Sequence, residues 1–345
     1  MDAREALSAV VSGRTLTRAE AESTMASVMV GEALPAQLGA LLAALRVRGE
    51  TVDEITGFAA AMRGAAVKLT LTSDAIDIVG TGGSRVDPFN ISTVASIVAA
   101  AAGAKVAKHG NRAASGKCGA ADVLEALGVK IDLGPDGAVA CIDEVGVAFL
   151  FAARYHPAMR HAGPVRREIG IRTVFNILGP LANPARVRRM VLGVATPELG
   201  ETMARVLSEL GADHVLVVHG ADGLDEISPT GPTRVWELRG GAVRESAIDP
   251  VALGLPLASV ADIQSGDATA NAATVRSILG GESGARRNAV LLNAGAALMI
   301  AGRADGMREG IGAAARAIDS GHARDTLERF IAASQRLGAA EVATS

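Results

Sequence analysis

The sequence predicts an α/β protein: a small all-helical domain at the N-terminus, then a large α/β domain with a central, mostly parallel sheet. Three observations carry this expectation. Residues 1–70 show helix-start signals and helical apolar spacing without a strand-like run. From Ala75 the pattern changes to short, glycine-bounded apolar runs alternating with helical segments, as in a parallel sheet covered on both faces. From Asn271 onward the sequence returns to helix. The expected domains are 1–70 and 71–345, with 166–185 a candidate later contribution to the first.

The elements follow in order. Thr17-x-x-Glu20 and Thr51-x-x-Glu54 are capping boxes, each opening an apolar-periodic segment. Pro35 stands where a third helix begins, ahead of Leu38, Leu41, Leu42 and Leu45. Strands are expected at 76–79, 105–108, 147–151, 190–194 and 214–218, with helices at about 93–102 and 123–127. A later strand at 234–238 adjoins an antiparallel hairpin at Gly240-Gly241. The segment 166–184 carries Gly170, Gly179, Pro180 and Pro184, and reads as a crossing between domains rather than sheet.

Composition excludes several classes. A net charge of −3 offers no global basic field for nucleic acid, and 2% aromatic residues leave few stacking platforms. Cys118 and Cys141 are too few for a disulfide framework or zinc site and read as small core or loop residues. Asp2 and Glu5 interrupt the N-terminus, so no signal peptide is expected, and the apolar run 94–102 is too short for a membrane span. The expectation is a soluble, cytoplasmic protein without nucleic-acid or membrane partners.

The densest chemistry lies in 105–128. A short strand runs into Lys108, His109, Asn111, Arg112 and Ser115, interleaved with Gly110, Gly116 and Gly119, before a helix. Such a turn suits a polyanion, because glycines let backbone N–H groups approach phosphate and the helix N-terminus adds positive charge; the alternative is a basic surface turn. A second cradle follows the first strand: Gly80, Gly82 and Gly83, then Asn90, Ser92 and Thr93 at the next helix start. It lacks the Gly-Lys-Ser/Thr of a Walker A loop and the spacing of a dinucleotide fingerprint. Alone it would be a turn with Ser92 or Thr93 as an N-cap. Two such turns after successive strands favour a ligand at the carboxyl ends of the sheet.

Asp225 and Glu226 are adjacent carboxylates after the strand at 214–218, a pair that suits Mg²⁺ with phosphate and water; an acidic surface turn is the alternative. His156, Arg166 and Arg167 are candidates for a carboxylate, though spacing alone does not choose among them. The sequence has no Gly-x-Ser-x-Gly elbow and no His-Glu-x-x-His helix. Two phosphate cradles, an acidic pair and no covalent catalyst describe transfer from a phosphorylated, metal-chelated donor by positioning and charge stabilisation.

The blocks Gly80-Thr-Gly-Gly83, Asn90-Ile-Ser-Thr93, Lys108-His-Gly-Asn-Arg112, Arg166 to Pro184 and Asp222-Gly-Leu-Asp-Glu226 resemble the anthranilate phosphoribosyltransferases. Asn271-Ala-Ala, Leu292-Asn-Ala294 and Asp319-Ser-Gly321 resemble them too, so the likeness spans the chain. It implies the nucleoside-phosphorylase/phosphoribosyltransferase class II fold, with the active site in the cleft between domains, and a homodimer joined through the small domains. It implies transfer of the phosphoribosyl group of 5-phosphoribosyl-1-pyrophosphate (PRPP) to anthranilate in tryptophan biosynthesis, with Mg²⁺, two ions per subunit. Whether an anthranilate synthase amidotransferase is a partner is not decided by the sequence.

Carried over by position, PRPP falls to Gly80, Gly83, Ser84, Asn90, Ile91, Ser92, Thr93, the loop Lys108, His109, Gly110, Asn111, Arg112, Ala113, Ala114, Ser115, Gly116, and Ala120. Mg²⁺ falls to Ser92, Asp225 and Glu226; anthranilate falls to Gly80, Asn111, Tyr155, His156 and Arg166, with Arg166 on its carboxylate. Three positions depart from the family pattern. Ser84 stands for a usual Asp, Pro88 for a common Thr, and Ala120 for a small hydroxylated residue. The implied consequence is weaker Mg²⁺ or PRPP affinity, with Asp87 a candidate replacement for the missing carboxylate.

Overall fold

Local signals build the first four helices. In the computed structural model, which describes residues 1–344 apart from Arg85, Ala114 and Ser115, Asp2 caps α1 (Ala3–Val11) by accepting from Glu5 N at 2.8 Å. Thr17 and Thr51 open α2 (Arg18–Met29) and α4 (Val52–Ala65) with reciprocal capping boxes, and Pro35 is the first residue of α3 (Pro35–Arg48). Each side-chain cap is worth about 1 kcal/mol. The helices close on Met25, Leu38, Leu42, Leu45, Ile55 and Phe58, all buried. Among them Glu54 is wholly buried, and its carboxylate accepts from Leu16 N (2.8 Å), Thr51 N (2.9 Å) and the Arg48 guanidinium. A buried charge met on every side is tolerated.

The sheet region begins with β1 (Ile76–Gly80), α5 (Ile91–Ala101), β2 (Val106–Gly110), α6 (Ala120–Leu127), α7 (Pro135–Val145) and β3 (Val147–Phe151). The chain then leaves the sheet through α8 (Ala152–Tyr155), α9 (Met159–Ile169) and α10 (Phe175–Leu181). It returns as β4 (Arg189–Gly193), α11 (Leu199–Glu209), β5 (His214–Gly220) and a hairpin of β6 (Thr233–Arg239) and β7 (Ala242–Ile248) turning at Gly240-Gly241. Four helices follow: α12 (Ala268–Leu279), α13 (Ala285–Ile300), α14 (Met307–Asp319) and α15 (His322–Thr344). Helix α5 starts at Ile91 rather than near Thr93, because Asn90 takes the N-cap position. The crossing is helical, and α9 packs on α2 and α3.

Strand order is β3-β2-β1-β4-β5-β6-β7. The first five strands are parallel, and β6 and β7 are antiparallel. The chain builds outward from β1 on one side and resumes at β4 on the other, so β1 and β4 flank the point where the order reverses. Gly80 and Gly193 are register partners at the carboxyl ends of these two strands. A crevice there is where open α/β sheets bind ligands. Among the described residues no helix is long and apolar enough to cross a membrane.

Candidate active site

Asp225 lies across the ends of β1 and β4. A β-carbon on Gly193 would collide with its backbone carbonyl, and one on Gly80 with its carboxylate, so the close approach requires glycine on both strands. The Asp225 carboxylate accepts from Gly82 N at 2.8 Å. Glu226 accepts from Ser92 N at 3.2 Å. Lys108, 3% exposed, donates from Nζ to Ile78 O (2.7 Å) and to Ser92 Oγ (3.1 Å). Three segments distant in sequence thus bring together Ser92, Lys108, Asp225 and Glu226.

The electrostatics are unbalanced. Burial, then the Asp225 charge, pushes Glu226 up to about 8, with Lys108 opposing. Burial also raises Asp225 and lowers the Lys108 ammonium, which Asp77 and Glu226 support. Asp77 in β1 is fully buried and pushed up to about 6 by desolvation; it accepts from Asn183 Nδ2 (2.8 Å) and His109 N (3.3 Å). Two raised carboxylates side by side are the surroundings a divalent cation would relieve. Among the described residues no cluster of three His, Cys, Asp or Glu forms. A pair of carboxylates and a hydroxyl is therefore a partial ligand set. That suits Mg²⁺, which keeps waters and substrate phosphate in its shell.

The turn after β1 is tied to distant parts. Thr81 Oγ1 accepts from Ala195 N (3.1 Å), and Gly82 O accepts from Arg172 (3.0 Å), whose guanidinium covers Gly83. Ser84 sits by the Asp225 carboxylate and donates to Val86 O. Asp87 is exposed and its carboxylate lies against Gly116 of the second turn, while Pro88 bridges to Gln264. Asn90 Nδ2 donates to Cys118 O (3.0 Å), linking the two turns. Ile91 and Thr93 are buried in the first turn of α5, and Thr93 Oγ1 has no hydrogen-bond partner.

The turn after β2 is anchored on its own helix. Asp122 accepts from Ala113 N (3.0 Å) and Gly119 N (2.8 Å). Arg112, named above for PRPP, points to α6: its guanidinium pairs with Asp122 (3.0 Å) and Glu125 (2.8 Å), 5.8 Å over the Phe151 ring. Asn111 is exposed, and its Oδ1 accepts from Arg112 N. Ala120 opens α6 and offers only a methyl group. Ala114 and Ser115 lie outside the described residues.

Helix α10 gathers Arg166 and His156, assigned to the acceptor, and His109, assigned to PRPP. The Arg166 guanidinium sits 5.2 Å over the Phe175 ring at its start, and no carboxylate pairs with it among the described residues. His109 bonds to the backbone of Gly179 and His156 to that of Ala182, with the two rings 5.1 Å apart. Burial pushes them down to about 3 and about 4, so both imidazoles are neutral at pH 7. Each keeps a buried Nε2 without a partner. Tyr155 is a correction to the sequence reading. It is fully buried and its hydroxyl donates to Leu133 O (3.1 Å), so it packs in the core instead of lining an open path. Sequence reasoning also left Asp77, Arg172, Asn271 and Asn293 without roles; the signals were a lone Asp inside an apolar strand and, for the other three, their place in the blocks that resemble the family.

Residues 4–66 match the glycosyl transferase family helical bundle domain, and 72–324 match that family's a/b domain. The anthranilate phosphoribosyltransferase of Thermomicrobium roseum is 53% identical over 341 residues, covering 97% of this chain and 98% of that one. The chain belongs to the anthranilate phosphoribosyltransferase family. The crystal structure of anthranilate phosphoribosyltransferase from Thermus thermophilus aligns with a TM-score of 0.91 at 45% identity, covering 96% of this chain and 99% of that one. The Saccharomyces cerevisiae anthranilate phosphoribosyltransferase in complex with PRPP and Mg aligns at 0.89 and 27% identity, covering 96% and 97%.

Proposed function

We propose that this protein transfers the 5-phosphoribosyl group of PRPP to the amine of anthranilate, releasing pyrophosphate. The observation that carries the reading is the meeting of Asp225, Glu226, Ser92 and Lys108 at the β1/β4 crevice. Ser92, Asp225 and Glu226 hold Mg²⁺, two ions per subunit, and Mg²⁺ when bound neutralises charge on the pyrophosphate leaving group. Lys108 adds a fixed cation, and the backbone of Gly80 to Gly83 with Asn90 and Thr93 orients the phosphoribosyl moiety. Arg166 takes the anthranilate carboxylate through its guanidinium fork. His156, neutral and facing α10, lines the acceptor with a hydrogen-bonding edge, and the neutral His109 of the PRPP loop stands beside it, so neither ring carries a charge to attract a second anion. The anthranilate amine is already neutral at pH 7 and needs no base before it attacks C1 of the ribose.

We place the division of the chain near residue 70, with 166–185 serving the helical domain. The exposed Val11, Val30, Leu34 and Val47 on that domain support a homodimer joined through it. A second reading, a different aromatic amine as acceptor, is favoured only by Ser84 and Pro88. Loss of anthranilate fluorescence on adding protein, PRPP and Mg²⁺ tests the first, with Asp225→Asn/Glu226→Gln as the control. Turnover that disappears in the control supports it; folded protein that binds PRPP and leaves anthranilate unchanged supports the second.

A further inference from the structure

Asn293 is a polar residue in a largely buried helix. It lies on α13 between Leu292 and Ala294, and is fully buried. A buried amide without partners costs about 1–3 kcal/mol, so its bonds explain its presence. Its Oδ1 accepts from Ile227 N at 3.0 Å, and its Nδ2 donates to Ile227 O at 2.9 Å and to Ala289 O at 2.9 Å. One amide thus grips both backbone groups of the residue immediately after Glu226, as a neighbouring strand would.

We propose that Asn293 is a positioning residue that holds the Asp225–Glu226 segment in the geometry that receives the metal–PRPP complex. The inference rests on the function proposed above. On one side the segment is braced by Gly193 and by the bond from Gly82 N; α5 reaches Glu226 through Ser92 N, and α13 reaches the following peptide through Asn293. The brace fixes the peptide that follows Glu226 and so limits how the two carboxylates can be presented. Only a side chain that both donates and accepts at this length makes the grip, which Asp, Ser and Ala lack.

Asn271 supplies a comparison on α12. Its Nδ2 donates to Asn90 Oδ1 (2.9 Å) and Ser265 Oγ (2.9 Å), and its Oδ1 accepts from Gly266 N (2.8 Å). It touches the phosphate cradle and leaves the acidic pair alone.

The test compares Asn293→Ala, Asn293→Ser and Asn271→Ala with wild type. Serine keeps a bond to the Ala289 carbonyl one helical turn back and so protects the fold while releasing Ile227. The readouts are Mn²⁺ binding in the presence of PRPP by electron paramagnetic resonance, the Mg²⁺ dependence of anthranilate consumption, and the metal-free melting midpoint. Both Asn293 variants should weaken Mn²⁺ binding and raise the Mg²⁺ requirement about tenfold, the usual scale for an outer-sphere support. Asn271→Ala should raise the PRPP requirement and leave Mn²⁺ binding near wild type. Unchanged Mn²⁺ binding in Asn293→Ser overturns the inference, as does an equal loss in Asn271→Ala, which would mark general loosening. Wild-type protein that binds Mn²⁺–PRPP but ignores anthranilate overturns only the acceptor assignment; wild type that binds neither overturns both.

Discussion

The two glycine-rich turns, after β1 and after β2, look alike as sequence and are held in opposite ways. The β1 turn is fastened by groups far along the chain: Asp225 on Gly82 N, Arg172 on Gly82 O, and Ala195 on Thr81. The β2 turn is fastened by the helix that follows it, through Asp122 on Ala113 N and Gly119 N and through Arg112 between Asp122 and Glu125. The β1 turn is therefore tied to the acidic pair, and the β2 turn, at its described residues, to the start of α6.

The sharpest way to break this contrast is Gly193→Ala. Its methyl meets the Asp225 backbone, which has no room to yield, so turnover should fall about a hundredfold or more and stability by about 1–3 kcal/mol. Steady-state kinetics and denaturant unfolding measure both; a near-silent variant would show that the segment is soft. Next is Glu226→Gln, with a loss of turnover on the order of a hundredfold and a distinctive pH profile. The folded group titrates near 8 against an ordinary value of 4.5, so the native state keeps a proton that the unfolded chain releases. Wild-type stability contributed by this group is full below pH 4.5 and is lost as pH rises to 8, by at most about 1.4 kcal/mol per unit. In metal-free buffer the variant should gain on wild type across that window and hold a constant lead above it. Parallel melting curves from about pH 5 to 8 would contradict the balance of charges drawn here.

On the other turn the effects should be smaller. Asp122→Ala removes the carboxylate that accepts from two backbone N–H groups and should cost about 1 kcal/mol, the scale of a helix cap. It should raise the PRPP requirement several-fold, with the Mg²⁺ dependence unchanged in the same titrations. Glu125→Gln loosens only an exposed ion pair and should change stability by less than about 0.5 kcal/mol, which thermal unfolding in low and high salt would show. A larger effect from Glu125 than from Asp122 would mean that Arg112, not the backbone, sets the loop.

Much of this was readable in the chain. The caps at Thr17 and Thr51, Pro35 at a helix start, and the glycine-bounded strands depend on neighbours three or four residues away, and each stands where its pattern puts it. The α6 partners of the β2 turn, Asp122 and Glu125, are also close in sequence, within 13 residues of Arg112. Arg112 itself was legible as a cation but not in its direction, because an exposed guanidinium is free to choose among nearby carboxylates. Tyr155 was read as facing the acceptor, while its hydroxyl finds the Leu133 carbonyl in the core.

By itself, then, the sequence determined the elements, their order, the two phosphate-type turns and the adjacent carboxylates, since these follow from spacing and short-range chemistry. Tertiary structure decided what those parts do to one another. The reversal of strand order at β1 and β4 seats Asp225 over Gly80 and Gly193. Burial raises the acidic pair and neutralises His109 and His156. A helix residue 66 positions past Ile227 clamps its peptide. Desolvation and close approach are properties of assembled space, and no local pattern along a chain encodes them.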